Sequence, residues 1–308
     1  MTKNQIFTTL IKVTFLGFLF YFCLQFFIPR WESLQLSDHL KTMSWPWLTA
    51  AAVFTLAYYM LGFSIWTILL HNLGSSPNIY MTARAYVCSF LPKYIPGNFA
   101  AHGLRTHLAA QAGVPVLVSM KSFLLEAFFA LGTAAAVSIP GTVYYRPLIM
   151  DRLFNWLVAV VMLVLIMIVA AKLFKLKYIN ELGLTAPHRF RAYFKVFLLY
   201  LVVWFVSGVA HWCLANALSD YSASNIPQLT VAVSASWALG FVSIFAPAGL
   251  GVREAVLYFF VKNWMQQADV ILFVTLSRLL MFGAEVFLTI GFLLYRRFAH
   301  RADIAMTN

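Results

Sequence analysis

Long runs of apolar residues, separated by short polar clusters, dominate the chain. Phe7–Ile28 carries only Lys12, near its start, and Trp45–Leu70 carries no charge. Val114–Ile139 holds Lys121 and Glu126, Leu153–Ala171 and Val196–Leu218 are uncharged, and Val270–Tyr295 holds Arg278 and Glu285. About 20 apolar residues in a helix cross roughly 30 Å of hydrocarbon. The six runs therefore predict six transmembrane helices. The first is too long for the apolar part of a cleavable signal and has no small-x-small site after it, so it reads as a signal anchor.

Two further regions are apolar but interrupted. Met81–Leu91 stops at Pro92-Lys93-Tyr94-Ile95-Pro96-Gly97, and a second short stretch, Asn98–Gly113, follows. Gln228–Phe245 stops at Pro247-Ala248-Gly249-Leu250-Gly251, and Val252–Trp264 follows. Arms too short to span, hinged by Pro and Gly, predict re-entrant helical hairpins over 81–113 and 228–264. Pro92, Pro96, Gly97, Pro247, Gly249 and Gly251 would be the hinges. The alternative for the second region is a full span over Gln228–Phe245.

The two broken regions repeat. A shift of 155 positions lays Phe90 and Pro92 on Phe245 and Pro247, and Ser122, Leu124 and Leu125 on Ser277, Leu279 and Leu280. Each half, 7–139 and 153–295, reads span, span, broken hairpin, span. An odd number of spans per copy inverts the second copy in the membrane. The fold class expected is an all-α polytopic membrane protein, one transmembrane domain over 1–308, with six helices and two re-entrant hairpins in an inverted 3+3 repeat. Secondary transporters use this architecture and bind at the repeat interface.

Composition agrees. Hydrophobic residues make up 62% and charged residues 10%, against about 25% charged in a soluble domain. The net charge of +12 could suggest nucleic acid in a soluble protein, but basic loops beside membrane spans follow from the positive-inside rule and need no such partner. Lys172, Lys175, Lys177, Arg189, Arg191 and Lys195 fall on one side with Lys3 and Arg296, Arg297 and Arg301. Only Arg30, Lys41, Arg146 and Arg152 fall on the other. Both termini and residues 172–195 are expected in the cytoplasm, and 140–152 and 219–227 outside, in a multi-pass protein of the inner (cytoplasmic) membrane.

Cys23, Cys88 and Cys213 are scattered in apolar segments and read as small buried hydrophobes. His71, His102, His107 and His211 lack metal spacing, so no metal or other cofactor is expected, and His211 reads as a packed core histidine. Gly249-Leu250-Gly251-Val252-Arg253-Glu254 begins like a dinucleotide fingerprint but lacks its third glycine and its strand. With no P-loop, HExxH or GxSxG, and loops too short for a soluble catalytic domain, the chain is not expected to be an enzyme.

The informative residues are the charges that the hairpins keep at membrane depth, each of which costs at least about 2.5–3.5 kcal/mol there. Asn98, His102 and Arg105 share one helical face, with Arg84 and Lys93 on the preceding arm and its turn. Arg253 begins a new half-helix after the Gly-rich break, and Arg278 and Glu285 share a face. Arginine forks and half-helix N-termini suit a phosphate. Arg105, Arg253, Arg278, Lys93 and Arg84 are thus candidates for holding a lipid phosphate, supported by Asn98, His102, Glu126, Glu254 and Glu285. The competing readings are structural pairing of Arg105, Arg253 and Arg278 with Glu126, Glu254 or Glu285, and snorkelling for Arg84 and Lys93.

Lys93-Tyr94-Ile95-Pro96-Gly97, Gly103-Leu104-Arg105, Gly113 and Glu126 resemble the first conserved block of a flippase-like membrane family. That family includes the membrane portion of lysyl-phosphatidylglycerol synthases and the archaeal AglD-type proteins. Pro247-Ala248-Gly249-Leu250-Gly251-Val252-Arg253-Glu254, followed by Arg278, resembles its second block, with Ala248 where a Gly is usual. In the first block Leu104 separates Gly103 from Arg105, where many relatives have Gly-Arg directly. The likeness extends over roughly 10–296.

The resemblance implies movement of an anionic, phosphate-bearing lipid between leaflets, either a polyprenyl-phosphate-linked sugar or a phospholipid, in cell-envelope assembly. No aminoacyltransferase domain follows the membrane region here, so a carrier is expected rather than a lysyl-lipid synthase. Two alternatives stand beside it. One is an accessory or scaffold subunit for glycosyltransferases of the same pathway. The other is a polyprenyl-phosphate transferase, for which Glu254 and Glu285 are the plausible acidic pair.

Overall fold

The structure is a computed structural model that describes residues 41–94, 99–144, 187–243 and 246–307. The predicted spans Phe7–Ile28 and Leu153–Ala171, and residues 172–186 of the basic loop, lie outside the described residues. The described chain folds into helices and turns: α1 (Trp45–Asn72), α2 (Ile79–Cys88), α3 (Phe99–Gln111), α4 (Val116–Tyr144), α5 (Pro187–Leu218), α6 (Ile226–Val242), α7 (Val252–Val261) and α8 (Gln267–Thr307). Among the described residues four helical segments are long and apolar enough to cross a membrane: Trp45–Asn72, Val116–Gly141, Phe190–Leu218 and Gln267–Tyr295.

Two helices outrun their apolar windows. α5 begins at Pro187, upstream of the predicted Val196, because proline suits a first helical turn and helical hydrogen bonding continues into the polar segment. α8 continues past Tyr295 to Thr307 for the same reason, since nothing in Arg296-Arg297-Phe298-Ala299 breaks a helix.

Side-chain and backbone bonds fix how the helices run. Ser44 N–H donates to the Ala217 carbonyl at 2.8 Å, so the start of α1 lies beside the end of α5. Trp66 Nε1 donates to Ser122 Oγ at 3.0 Å, which levels the end of α1 with the start of α4. Ser219 Oγ and Tyr221 OH donate to Asp269 Oδ2 at 2.6 and 2.9 Å, pinning the start of α8 beside the end of α5. Large apolar side chains point outward along α5, where Phe190, Phe194, Leu198, Val202 and Phe205 are all exposed. Such a stripe would be unfavourable in water and is the natural face toward lipid.

Both interrupted regions form helix–turn–helix hairpins. In the first, α2 is capped by Asn78 Oδ1, which accepts from Tyr80 N–H at 2.9 Å, and a 3-10 turn at Leu91–Tyr94 leads toward α3. In the second, a turn at Pro247–Gly249 joins α6 to α7. The 17 residues of α6 reach about 25 Å at 1.5 Å per residue, short of the roughly 30 Å hydrocarbon layer. The hairpins enter from opposite ends of the bundle. Tyr80, at the start of the first, stacks at 5.0 Å on Phe292 near the end of the α8 span. Trp264, just past the second, meets Tyr221 edge-on at 5.4 Å, beside the start of α8. The two turns pack against one another in the interior.

Candidate functional site

Where the turns meet, α8 grips both with charges of opposite sign. Glu285, fully buried on α8, accepts from Lys93 Nζ in the first turn and from Tyr59 OH on α1. Seven residues earlier on the same helix, Arg278 Nη2 donates to the Ala248 carbonyl of the second turn at 2.9 Å. Its Nε lies 3.3 Å from Glu254 Oε1, and its guanidinium is 5.6 Å from the Tyr94 ring of the first turn. Lys93 is therefore held inside by a buried carboxylate instead of reaching for the surface.

The second turn owes its shape to backbone in the left-handed region. Ala248 has φ 51° and ψ 21°, and Gly249 and Gly251 have φ of 71° and 84°. The chain thereby reverses sharply enough for α7 to start at Val252. Glu254 Oε2 accepts from the Gly251 N–H at 2.6 Å, which places a carboxylate in the first turn of α7, where it stabilises the helix start.

Arg253 is the exception among these cations. Its side chain runs over Gly240 of α6 so closely that a Cβ there would collide with Arg253 Cγ and Nε. Its guanidinium is 5.8 Å from the Trp237 ring, and its Nε is buried without a hydrogen-bond partner. Among the described residues it forms no ion pair, whereas Lys93, Arg105 and Arg278 each have one. Arg253, Arg278 and Glu254 line a small cavity of about 30 Å³, room for one or two waters. Around the turns Lys93, Arg253 and Arg278 face Glu254 and Glu285, which leaves one formal positive charge in excess.

The other predicted cation lies next door. Arg105, on α3, pairs with Glu126 of α4 at 2.9 Å and stacks on Trp66 at 3.9 Å and Tyr86 at 4.8 Å. With His102 and Phe123, whose rings are 3.7 Å apart, it lines a larger cavity of about 180 Å³. Tyr58, Trp204 and Trp237 belong to the walls of both cavities and form an aromatic partition between them.

The structure thus brings Lys93, Arg253, Arg278, Glu254 and Glu285 together and places Arg105, His102 and Glu126 in the adjoining cavity. Arg84 is partly buried on α2 and lines neither cavity. Asn98, Pro96 and Gly97 lie outside the described residues, while Pro92 falls in the first turn and Pro247 and Gly249 in the second. His211 is buried, with Nδ1 on the Ser207 carbonyl at 2.7 Å, as a packed core histidine would be. The sequence does not single out Tyr58, Tyr59, Trp204 and Trp237, because an aromatic residue inside an apolar run carries no signal that separates a cavity wall from lipid-facing surface.

Helices able to cross a bilayer, a lipid-facing apolar stripe, and charges buried at two meeting helix breaks define a polytopic α-helical membrane protein. The chain belongs to the family of the lysylphosphatidylglycerol synthase TM region, whose sequence model matches residues 10–289. No curated protein matches the chain significantly.

Proposed function

We propose that this protein is a translocase for a lipid with a phosphate in its head group, and that Arg253 is the residue that receives the phosphate. Its guanidinium, with Nε buried, without a carboxylate partner among the described residues and facing a cavity, is the observation that supports this reading most. A buried cation is expensive to leave unpaired, and a phosphate oxygen pair is the planar, bidentate partner that an arginine fork fits. Arg278 stands beside it, and the start of α7 adds backbone N–H groups.

In this proposal six spans and two re-entrant hairpins form an inverted repeat in the inner membrane, with both termini cytoplasmic. The hairpins entering from opposite ends, with touching turns, are what such a repeat requires of its binding site. Alternating access would come from loosening one turn at a time from α8. The transferase alternative has less support, because Glu254 and Glu285 each hold a different hairpin turn instead of facing one reacting atom.

Purified protein in liposomes with an acyl-labelled fluorescent phospholipid tests the proposal. Faster loss of signal to an impermeant quencher than in protein-free liposomes is expected. Rates no faster than in protein-free liposomes, for anionic phospholipids and phosphoprenol glycolipids alike, would contradict it.

A further inference from the structure

We infer that the larger cavity is the head-group pocket, and that it selects a neutral, polyhydroxylated head. The inference rests on the proposed phosphate site and adds what is attached to that phosphate. The two cavities adjoin at Tyr58, Trp204 and Trp237, so a head group joined to a phosphate at Arg253 enters the second cavity once one of these side chains turns aside. An engineered cavity of about 150 Å³ holds a benzene ring, and the 180 Å³ here gives room for a six-membered ring or a glycerol.

The chemistry of the walls narrows the occupant. Arg105 is 9% exposed, and its Nε and Nη2 have no hydrogen-bond partner, so the pocket offers two buried donors in need of acceptors. Glu126 spends one oxygen on Arg105 and is the pocket's acceptor. With His102 counted neutral the pair cancels, and the pocket has no net charge. A charged head of either sign would be drawn to one member of this pair and repelled by the other, so it gains little net attraction to offset the water it must shed. A polyol satisfies both sides, because each hydroxyl accepts from Arg105 and donates to Glu126. Its C–H faces need apolar partners, and Phe123, Trp204 and Trp237 supply rings. A glycosyl group and a glycerol share this chemistry.

Calorimetric titration of the full-length purified protein with soluble head-group phosphates tests it. The probes are a hexose 1-phosphate, glycerol 3-phosphate, phosphoethanolamine and inorganic phosphate. The hexose or glycerol phosphate, or both, is expected to bind roughly tenfold tighter than inorganic phosphate, with the better of the two naming the source of the hydroxyls. Phosphoethanolamine should bind no tighter than inorganic phosphate. Ala127 lines the pocket, and Ala127→Leu should reduce the polyol phosphates to the inorganic-phosphate affinity and leave that affinity unchanged. Arg253→Ala should weaken all four. Equal affinities, or a preference for phosphoethanolamine, overturn the head-group inference while Arg253-dependent phosphate binding preserves the phosphate site. No binding of any probe overturns both. If Ala127→Leu does not fold, the ranking of the four probes by the unaltered protein decides.

Discussion

Lys93 and Glu285, 192 residues apart in sequence, form an ion pair in which the carboxylate is wholly buried. The pair fastens the turn of the first hairpin to α8, and Tyr59 completes the acceptor's shell from α1. Removing one member strands the other in a low-dielectric interior. Glu285→Gln should destabilise the detergent-solubilised protein by about 3 kcal/mol, toward the low end for broken buried pairs because Lys93 keeps some contact with solvent. The double variant Lys93→Met/Glu285→Met should recover most of that loss. Chemical denaturation of Lys93→Met, Glu285→Met and the double variant gives the coupling, and additive losses would show that the residues do not act as a pair.

Arg105 is held by shape as well as charge. Its guanidinium lies against both Trp66 and Tyr86 while it pairs with Glu126. Arg105→Lys keeps the charge but loses the plane, and a desolvated cation–π contact is worth about 2 kcal/mol. A drop of roughly 1–2 kcal/mol is expected in the same denaturation experiment. A neutral result would mean that the ammonium finds equivalent contacts.

Ala248 occupies left-handed backbone at φ 51° without being a glycine. That conformation costs a non-glycine residue roughly 1–2 kcal/mol, partly offset by the extra freedom glycine has when unfolded, about 0.4–1 kcal/mol. Ala248→Gly should therefore raise stability by about 0.5–1 kcal/mol, seen as a small upward shift in the thermal midpoint. A lowered midpoint would contradict this account of the turn.

The sequence makes the helices and both hairpin breaks readable for local reasons. Apolar runs near 20 residues have one stable form in lipid, and Pro92 and Pro247 with their neighbouring glycines interrupt a helix wherever they fall. The partners of the charges are not local. Glu285 shares a helix face with Arg278, yet it pairs with Lys93, because tertiary packing brings the first turn to that point of α8. Arg105 lies with the other cations in sequence pattern, but an aromatic partition of Tyr58, Trp204 and Trp237 separates it from Arg253. Nothing in a run of apolar letters distinguishes those three residues from their neighbours facing lipid.

Gly240 clears the path of the Arg253 side chain. A methyl group there would collide with Arg253 Cγ, and the flexible side chain can swing away more easily than the backbone can move. Alanine also favours the helix over glycine. Gly240→Ala should leave the thermal midpoint close to that of the unaltered protein and slow lipid transport by at least about tenfold, equivalent to 1.4 kcal/mol on the barrier. Unchanged transport would show that Arg253 need not occupy this groove.

The central claim is that Arg253 receives the phosphate during translocation. Its most direct test is the rate of phospholipid movement in proteoliposomes carrying the unaltered protein, Arg253→Lys or Arg253→Ala, each reconstituted in equal amount and verified as folded. The account predicts that Arg253→Lys, which keeps the charge but loses the bidentate fork, moves lipid at a reduced rate. Arg253→Ala should fall to the rate of protein-free liposomes. Transport by Arg253→Ala at the unaltered rate would contradict the account and leave Arg253 as a structural residue.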